Sequence, residues 1–380
     1  MIKIGITGQT GFVGTHLFNT FGLHPDKFER IPFEDKFFKD ENIFIQFVQK
    51  CDVIIHLAAL NRHNDPEVIY QTNIKLTEQL IDICEKTNSK PHIIFSSSTQ
   101  EERDNLYGKS KKKCRELLEI WANKNIAKFT GLIIPNVYGP FGNPFYNSVI
   151  ATFCHQLTHN KQPNIEIDGE LKLIYIDELV AQIIEIINSV NSEYNGDLLI
   201  QQKRLNHTTE INVSKILRLL ESFKTNYFEK GEIPSLDIPF HRNLFNTFLT
   251  YIDHTSFFPF LLKMNSDPRG SFVETIKLNS GGQVSFSTTF PLITRGNHFH
   301  TRKFERFVVI KGKAKIELRR IGTDKVLSFE LDGTNPSFVD IPIWYTHNIT
   351  NIGSNELYTI FWINEHFNPN DPDTFFEKVS

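Results

Sequence analysis

The sequence predicts an α/β doubly wound parallel sheet followed by an all-β barrel. Buried-strand patterns alternate with helical patterns over the first half, starting with Ile2–Thr7. From Met264 onward the helical periodicity nearly vanishes, and short alternating strands follow one another between Gly, Asn and Pro turns. Because 380 residues are too many for one ordinary domain, we expect domains at 1–240 and 263–380, joined by a helical connector at 241–262.

Composition narrows the classes of function. The formal net charge of −3 gives no basic field to attract nucleic acid or an anionic membrane. The N-terminus runs straight into a strand without a signal-peptide pattern, and no run of about 18 apolar residues could span a bilayer. The cysteines lack metal-ligand spacing, which favours buried thiols in a reducing compartment. We therefore expect a cytoplasmic protein with neither a nucleic-acid nor a membrane partner.

A glycine turn after the first strand is typical of nucleotide binding. Gly8, Gly11 and Gly14 allow a tight turn and let the backbone approach a pyrophosphate at a helix N-terminus. Their spacing resembles the extended short-chain dehydrogenase/reductase superfamily, which binds its cofactor on a Rossmann sheet. The resemblance also puts the alanines after the strand Asp52–Leu57 near the adenosine. The expected cofactor-binding residues in these two segments are Gly8, Gly11, Phe12, Val13, Gly14, Leu57, Ala58 and Ala59.

The second strand should precede the residues that read the adenosine ribose. Around Phe28–Ile31 the sequence offers Glu29 and Arg30. A carboxylate would favour NAD, whereas an arginine could hold the 2′-phosphate of NADP. We favour NADP, bound through Arg30, although either charge could equally belong to a solvated loop.

Candidate catalytic residues follow the strand Ile93–Ser98. Tyr107 and Lys111 are four residues apart, so on a helix they share one face. A neighbouring ammonium favours the phenolate and lowers the tyrosine pKa, so Tyr107 can give a proton to a carbonyl oxygen while the cofactor delivers hydride. The family resemblance implies that Ser98 orients that oxygen, with Thr99 as the alternative, and that Lys111 also contacts the cofactor.

One departure concerns the connection between the catalytic groups. Only eight residues separate Ser98 from Tyr107, whereas the extended family usually has a longer segment. Further along, Leu132–Pro140 resembles the strand and loop that hold a nucleotide-sugar substrate in that family. Asn136 and Tyr138 are the candidate contacts, although this Asn-Val-Tyr-Gly turn could be purely structural.

The second half carries a candidate metal site. His298 and His300 are two residues apart, so on a strand both imidazoles point to one face. Glu305 adds a carboxylate, which we expect from the next strand of the same hairpin, and His347 adds a third imidazole. These four groups suit zinc or another divalent metal, either as a closed structural site or as a catalytic site.

The spacing of these ligands resembles the two metal motifs of the cupin superfamily. Trp344 departs from the second motif, which usually has glycine there, so the turn must tolerate a bulky side chain. The segment from Asp267 to Glu274 resembles the sugar-nucleotide epimerases among the cupins, and the resemblance implies that Arg269 and Arg295 meet the substrate diphosphate.

Across nearly its whole length the chain resembles the CapF-type bifunctional reductases of capsular polysaccharide biosynthesis. The shared segments include Leu106–Lys111, Phe145–Cys154, Asn265–Phe272, Arg295–His300 and Tyr345–Ile349. The resemblance implies a UDP-2-acetamido-2,6-dideoxy-4-ketohexose substrate, epimerised at C3 by the cupin domain and reduced at C4 with NADPH. It also implies the product UDP-N-acetyl-6-deoxytalosamine, a precursor of N-acetyl-L-fucosamine, and a homodimer formed through the cupin domain.

Two alternatives stay open at the level of sequence. In one, the chain is a single-activity 4-keto sugar reductase, and its cupin is a structural, metal-stabilised dimerisation module. In the other, a cupin sensor uses a degenerate reductase domain to bind a nucleotide sugar. The intact set of Ser98, Tyr107 and Lys111 argues against the sensor.

Overall fold

The computed structural model describes residues 1–191 and 199–380, which divide into two compact units. Unit 1 comprises Met1–Val149 and Gly169–Asn212, and unit 2 comprises Ile150–Asp168 and Val213–Ser380. These bounds differ from the expected domains, because residues 150–168 and 213–239 make their tertiary contacts within unit 2. For example, the Thr158 hydroxyl donates a hydrogen bond to the Tyr251 carbonyl at 2.9 Å.

Unit 1 contains the predicted parallel sheet. Among the described residues its strands are β1 (Ile2–Thr7), β2 (Phe28–Ile31), β3 (Val53–His56), β4 (His92–Ser98), β5 (Phe129–Ile134), β6 (Asn136–Tyr138), β7 (Glu170–Tyr175), β8 (Ile200–Arg204) and β9 (Thr209–Asn212). Six of them form one sheet in the order β2-β1-β3-β4-β5-β8, and β6, β7 and β9 form a second, small sheet. The strand order reverses direction between β1 and β3, so the carboxyl ends of these two strands form the topological switch point.

The helices follow the predicted alternation with strands. They are α1 (Phe12–Gly22), α2 (Glu41–Lys50), α3 (Pro66–Thr87), α4 (Leu106–Asn125), α5 (Val149–Thr158), α6 (Ile176–Asn191), α7 (Val213–Phe223), α8 (Pro239–Leu249) and α9 (His254–Phe257). Local sequence explains where several begin: Asp65 caps α3 directly before Pro66, and Asn105 caps α4 by accepting a hydrogen bond from the Gly108 N–H.

The core of unit 1 lies between the sheet and these helices. The apolar residues of the central strands β3 and β4 are fully buried, as expected for parallel strands covered on both faces, whereas Ser96 and Ser98 at the end of β4 are partly exposed. The core also includes a cluster of aromatic rings and the buried thiols Cys51, Cys84 and Cys114. Across residues 1–191 and 199–380, no helix is both long and apolar enough to cross a membrane.

Unit 2 contains an antiparallel barrel built from two five-stranded sheets. Its strands are β10 (Phe260–Leu261), β11 (Met264–Asp267), β12 (Gly270–Val273), β13 (Gln283–Thr289), β14 (Thr294–Phe299), β15 (Glu305–Lys311), β16 (Lys313–Arg320), β17 (Val326–Asp332), β18 (Ser337–Ile341), β19 (Tyr345–Asn351), β20 (Leu357–Ile363) and β21 (Phe375–Phe376). The sheet orders are β10-β18-β15-β20-β13 and β17-β16-β19-β14-β21, and β11 and β12 form a separate exposed hairpin.

A buried ion pair ties the barrel to the segment that follows α7. Arg306 on β15 binds both carboxylate oxygens of Asp340 on β18 at 2.7 Å, and both side chains are about 1% exposed. The Tyr227 hydroxyl donates to the same carboxylate at 2.7 Å, and Arg306 also donates to the Gly231 carbonyl. Since both charged side chains are buried, removing either Arg306 or Asp340 would leave the other as an unpaired buried charge.

Candidate active site and metal centre

A cavity of about 690 Å³ lies at the switch point of unit 1. Residues after β1, β3, β4 and β5 line it, together with the start of α4 and the segment before α5. Of the predicted site residues, the cavity is lined by Gly8, Gly11, Phe12, Val13, Gly14, Leu57, Ala58, Ala59, Ser98, Tyr107, Lys111 and Asn136. The structure therefore brings the expected cofactor-binding and catalytic residues into one space.

The glycine turn brings the backbone close to the alanines after β3. Gly8 has a φ of +71°, and a Cβ placed there would lie 2.9 Å from the Ala58 nitrogen. A Cβ at Gly14 would lie 2.3 Å from the Gly8 carbonyl oxygen. Both positions therefore require glycine, and the open backbone they leave is what a pyrophosphate needs at the N-terminus of α1.

The prediction that Arg30 binds the cofactor is corrected by its position, because Arg30 does not line the cavity. Its guanidinium packs on the Phe18 ring at 4.5 Å and donates to the Phe18 carbonyl at 3.2 Å, on the surface of α1. The charged side chains that do line the cavity near the end of β2 are Asp35 and Lys39. They lie in the turn Asp35–Lys39, and neither was among the predicted cofactor-binding residues.

The catalytic candidates meet at the start of α4. Ser98 ends β4, and its hydroxyl accepts a hydrogen bond from the Gln100 N–H at 3.2 Å. The Lys111 ammonium donates to the Ser96 carbonyl at 3.0 Å and lies 5.9 Å from the centre of the Tyr107 ring. This arrangement leaves both hydroxyls facing the cavity, beside a fixed cation.

Burial dominates the protonation of this pair. It raises the pKa of Tyr107 to about 12, with a smaller contribution from Tyr146, and it lowers the pKa of Lys111 to about 8. The expectation that Lys111 would depress the tyrosine pKa is therefore not met in the cofactor-free protein. At neutral pH Tyr107 is a protonated hydroxyl and a proton donor, not a phenolate.

The structure separates the two candidate substrate contacts. Asn136 is exposed and lines the cavity, as do Tyr146 and Asn147, which were not individually predicted as substrate contacts. Tyr138 is 2% exposed, does not line the cavity, and packs on Tyr175 with ring centres 5.4 Å apart. Tyr138 is therefore a core residue. Strand alternation would place it on the same face as Asn136, so its packing on Tyr175 decides its position instead.

The predicted metal ligands converge inside the barrel. One nitrogen each from His298, His300 and His347 and one oxygen from Glu305 all lie within 4.8 Å of one another. His298 on β14 pairs directly with His347 on β19, which places their ring centres 4.5 Å apart. Glu305 begins β15 in the facing sheet, so it does not come from the same hairpin as expected.

The donor set fits a divalent metal. The His300 Nε2, His347 Nε2 and Glu305 Oε2 atoms are buried, yet none has a hydrogen-bond partner of acceptable geometry. The two imidazole nitrogens lie 3.3 and 3.2 Å from the same carboxylate oxygen, as donors aimed at a shared centre would. Burial lowers the pKa of His298 to about 4, which keeps that imidazole neutral and able to ligate.

The chain segment near the C-terminus orients one ligand. His300 Nδ1 hydrogen-bonds to the Asp373 carbonyl, and the Asp373 carboxylate accepts from the N–H groups of Thr301, Arg302 and Lys303. Such contacts fix the ring orientation of a ligating histidine. Nothing in the sequence pattern marked Asp373, since it lies 73 residues from its partner.

Trp344 keeps the backbone shape that glycine would normally supply. Its φ is +63°, in the left-handed region, and its side chain is 4% exposed. The ring packs on Phe299 with centres 5.8 Å apart, and the Trp344 N–H donates to the His300 carbonyl at 2.7 Å. The bulky residue is therefore accommodated by packing, and it supports the segment that carries His300.

The two arginines expected at a diphosphate have local partners. Arg269 is highly exposed on the hairpin β11–β12 and forms an ion pair with Asp267 at 2.6 Å. Arg295 on β14 donates to the Thr289 hydroxyl and the Thr288 carbonyl. These contacts are with neighbouring residues and not with the metal cluster, so the role of both arginines at a diphosphate stays a prediction.

Comparisons with known proteins agree with this architecture. The family model described as NAD dependent epimerase/dehydratase family matches residues 4–200, and the model described as Polysaccharide biosynthesis C-terminal domain matches residues 265–375. A UDP-2-acetamido-2,6-beta-L-arabino-hexul-4-ose reductase from Pseudomonas aeruginosa is 31% identical over 379 residues, which cover 98% of both chains.

Solved structures extend the match to the whole fold. The capsular polysaccharide assembling protein CapF from Staphylococcus aureus is 34% identical, with a TM-score of 0.61 over 100% of both chains. A second structure of CapF, with the inhibitor 3-isopropenyl-tropolone, is 32% identical, with a TM-score of 0.59 over 99% of this chain and 100% of the other. The chain therefore belongs to the NAD dependent epimerase/dehydratase family and is one of its CapF-type members.

Proposed function

We propose that this chain reduces the C4 ketone of a UDP-2-acetamido-2,6-dideoxy-4-ketohexose with NADPH in unit 1, after unit 2 has epimerised C3. The product would be UDP-N-acetyl-6-deoxytalosamine, a precursor of N-acetyl-L-fucosamine for capsule or O-antigen polysaccharide. The observation that carries the proposal is the single cavity that holds the glycine turn together with Ser98, Tyr107 and Lys111. The name of the Pseudomonas aeruginosa relative supports the sugar class.

The reduction needs a proton donor beside the ketone oxygen. When bound, NADPH supplies the hydride. The Tyr107 hydroxyl, protonated at neutral pH, gives its proton to the oxygen that becomes the alcohol, and the Ser98 hydroxyl orients that oxygen. The Lys111 ammonium, held by the Ser96 carbonyl, stabilises the negative charge left on the tyrosine oxygen.

The charged turn after β2 bears on the choice of cofactor. Lys39 could hold the 2′-phosphate of NADPH, whereas Asp35 would favour the free ribose hydroxyls of NADH. We favour NADPH through Lys39, because its ammonium is a positive charge at the cavity wall that suits an added phosphate, whereas the Arg30 side chain packs on α1 instead.

The epimerisation uses the acidity that the C4 ketone gives to the C3–H bond. His298, His300, Glu305 and His347 would hold the metal, which would supply Lewis acidity near the ketone oxygen. The side chain of Glu305 remains 14% exposed and His298 is half-buried, so the cluster is open on one side. Two lysines of unit 2 are possible bases for removing the C3 proton, but both have other partners: Lys277 pairs with Glu274, and Lys303 binds the Pro372 carbonyl.

A structural metal is the alternative, and one observation favours it. His347 is fully buried and His300 is 4% exposed, so four protein ligands could close a tetrahedral site within the barrel. In this case the chain would be a reductase alone. Loss of the metal would then lower the stability of unit 2 without changing the chemistry at C3.

The barrel would also provide the expected homodimer interface. Its edge strand β13 and the following turn expose large apolar side chains, and these are Val284, Phe286, Phe290 and Leu292. An exposed apolar edge of this kind is typical of a protein–protein contact. Sedimentation equilibrium gives the molecular mass that checks it.

The Tyr107→Phe variant separates the two proposed activities. We expect it to stop NADPH oxidation, because the proton donor is lost, while solvent deuterium still enters C3 of the 4-keto sugar. NADPH oxidation is followed by absorbance. Deuterium uptake is followed by mass spectrometry of the sugar nucleotide recovered after incubation with UDP- or dTDP-linked 4-keto substrates. Tyr70→Phe, on α3, is the matched control and should retain both activities.

The complementary variant is His300→Ala, which should lose the metal by elemental analysis. If it keeps C3 exchange, the metal is structural and the alternative is correct. If Tyr107→Phe loses exchange together with oxidation, separate sites for the two steps are wrong.

A further inference from the structure

A buried ion pair lies directly behind the catalytic groups of unit 1. Glu101 lies in the short helical turn Thr99–Glu102, and Arg115 lies on α4. The Arg115 guanidinium binds Glu101 through Nη2 at 2.9 Å and through Nε at 3.1 and 3.2 Å to the two carboxylate oxygens. Their side chains are 10% and 8% exposed, so little of this pair is screened by water.

The ion pair connects the two elements that carry the catalytic residues, which are the end of β4 and helix α4. On one side, the Glu101 carboxylate accepts a hydrogen bond from the Ser97 hydroxyl, directly before Ser98. On the other, Arg115 follows Tyr107 and Lys111 on one face of α4, at successive intervals of four residues. One ion pair therefore joins the end of β4 to the helix that carries the proton donor.

Close packing of the backbone reinforces this connection. A Cβ at Gly108 would lie only 2.0 Å from the Gln100 carbonyl oxygen, so the turn rests directly on the first turn of α4. Ser98 caps the same turn by accepting from the Gln100 N–H. A second carboxylate, from Glu119, holds the other end of the guanidinium at 2.7 Å.

We infer that the Glu101–Arg115 ion pair is a positioning device that sets the distance between Ser98 and Tyr107 across an unusually short connection. The inference rests on the proposed reductase function, because it concerns the geometry of that site. Only eight residues join the two catalytic groups, so a displacement of the turn moves the Ser98 hydroxyl relative to the Tyr107 hydroxyl. Neither Glu101 nor Arg115 lines the cavity, so both act through the residues that do.

The test compares Arg115→Met with Lys124→Met. Lys124 is on the same helix, α4, and its exposed ion pair is with Glu85 on α3. For Arg115→Met we expect kcat for NADPH-dependent reduction to fall on the order of 100-fold, as small misplacements of catalytic groups do. The dissociation constant of NADPH, measured by fluorescence, should stay unchanged because the glycine turn is intact. Lys124→Met should match the wild type in both.

Two further variants separate positioning from folding. Arg115→Lys keeps the positive charge but loses the planar guanidinium that binds the carboxylate with two nitrogens. Its kcat should therefore lie between those of Arg115→Met and the wild type. The double variant Glu101→Gln/Arg115→Met leaves no unpaired buried charge between the two, so it should remain folded and still show the low kcat. An unchanged kcat in Arg115→Met or in Glu101→Gln/Arg115→Met overturns the inference. A parallel loss of NADPH affinity and kcat in Arg115→Met, Arg115→Lys and the double variant also overturns it.

Hydrogen exchange keeps this result distinct from a failure of the proposed function. If the wild type reduces no 4-keto UDP-sugar, the proposed function is wrong, but amide exchange of residues 99–108 still tests the ion pair. Faster exchange in Arg115→Met, confined to those residues, supports a positioning role. Unchanged or chain-wide faster exchange contradicts it.

Discussion

At the scale of single residues, burial decides chemistry more strongly than neighbouring charge. Lys111 lies 5.9 Å from the Tyr107 ring, yet the pKa of Tyr107 rises to about 12 because the hydroxyl is desolvated. The spacing of the two residues placed them correctly on one face of α4. Sequence alone gave no measure of how dry that face would be, and so the direction of the tyrosine shift was wrong.

Trp344 gives a residue-scale prediction about strain and packing. Trp344→Gly would remove about 1–2 kcal/mol of left-handed strain but forfeit about 3–5 kcal/mol of buried ring packing. We therefore expect unit 2 to lose about 2 kcal/mol of stability, measured by urea unfolding followed by hydrogen exchange of β14 and β19. Equal or higher stability would show that strain outweighs packing at this turn.

At the scale of elements, patterns of short period predicted structure well. The strand–turn–helix at the N-terminus predicted the glycine turn that lines the cavity, and the period of two in β14 predicted that the His298 and His300 side chains converge. The orientation of side chains on short or isolated elements was predicted less well. Arg30 and Tyr138 lie on strands of four and three residues, where either face was equally plausible and only tertiary packing decided.

The end of α4 gives an element-scale prediction. Ile126 caps this helix with a φ of +52°, and its side chain is 74% exposed, so the branched residue is strained without being packed. Ile126→Gly should stabilise unit 1 by about 0.5–1 kcal/mol, because glycine adopts this conformation without strain. Urea unfolding of unit 1 measures it.

The matched control is Asn88→Gly at the end of α3, where φ is +50°. Asparagine already tolerates this conformation, so little change is expected there. A loss of stability in Ile126→Gly would mean that the exposed isoleucine contributes packing that its exposure does not suggest.

At the scale of the whole molecule, the two units differ in what their buried histidines do. In unit 2 three histidines gather around Glu305 as candidate ligands, although the buried ring of His254 bonds the Leu249 carbonyl instead. In unit 1 His56 and His92 are single buried rings that bind threonine hydroxyls. Burial lowers the pKa of His56 to about 3 and that of His92 to about 4. Both therefore remain neutral in the folded protein at mildly acidic pH.

This difference predicts an acid-sensitive unit 1. Below pH 6.5 the unfolded chain binds a proton at each histidine and the folded chain does not, so stability falls as the pH drops toward about 4 for His92. Between pH 7 and pH 5 each histidine should cost about 2 kcal/mol. Hydrogen exchange of β3 and β4 in urea at the two pH values measures the loss.

His92→Gln should remove about half of that loss, and His63→Gln, at an exposed histidine, should remove none. An equal loss in the wild type and His92→Gln would mean that other groups govern the acid response of unit 1.

The ion pair of Arg306 and Asp340 has a consequence for how genes of this kind can be recombined. Two of its partners, the Tyr227 hydroxyl and the Gly231 carbonyl, are encoded well before the first residue of the C-terminal domain match at 265. A chimaera joined at the start of the barrel would therefore keep the buried salt bridge of one parent. Half of the hydrogen bonds to that pair would depend on the residues that the other parent supplies at these two positions. The inheritable module begins upstream of Tyr227, and chimaeras joined before that codon keep the pair whole.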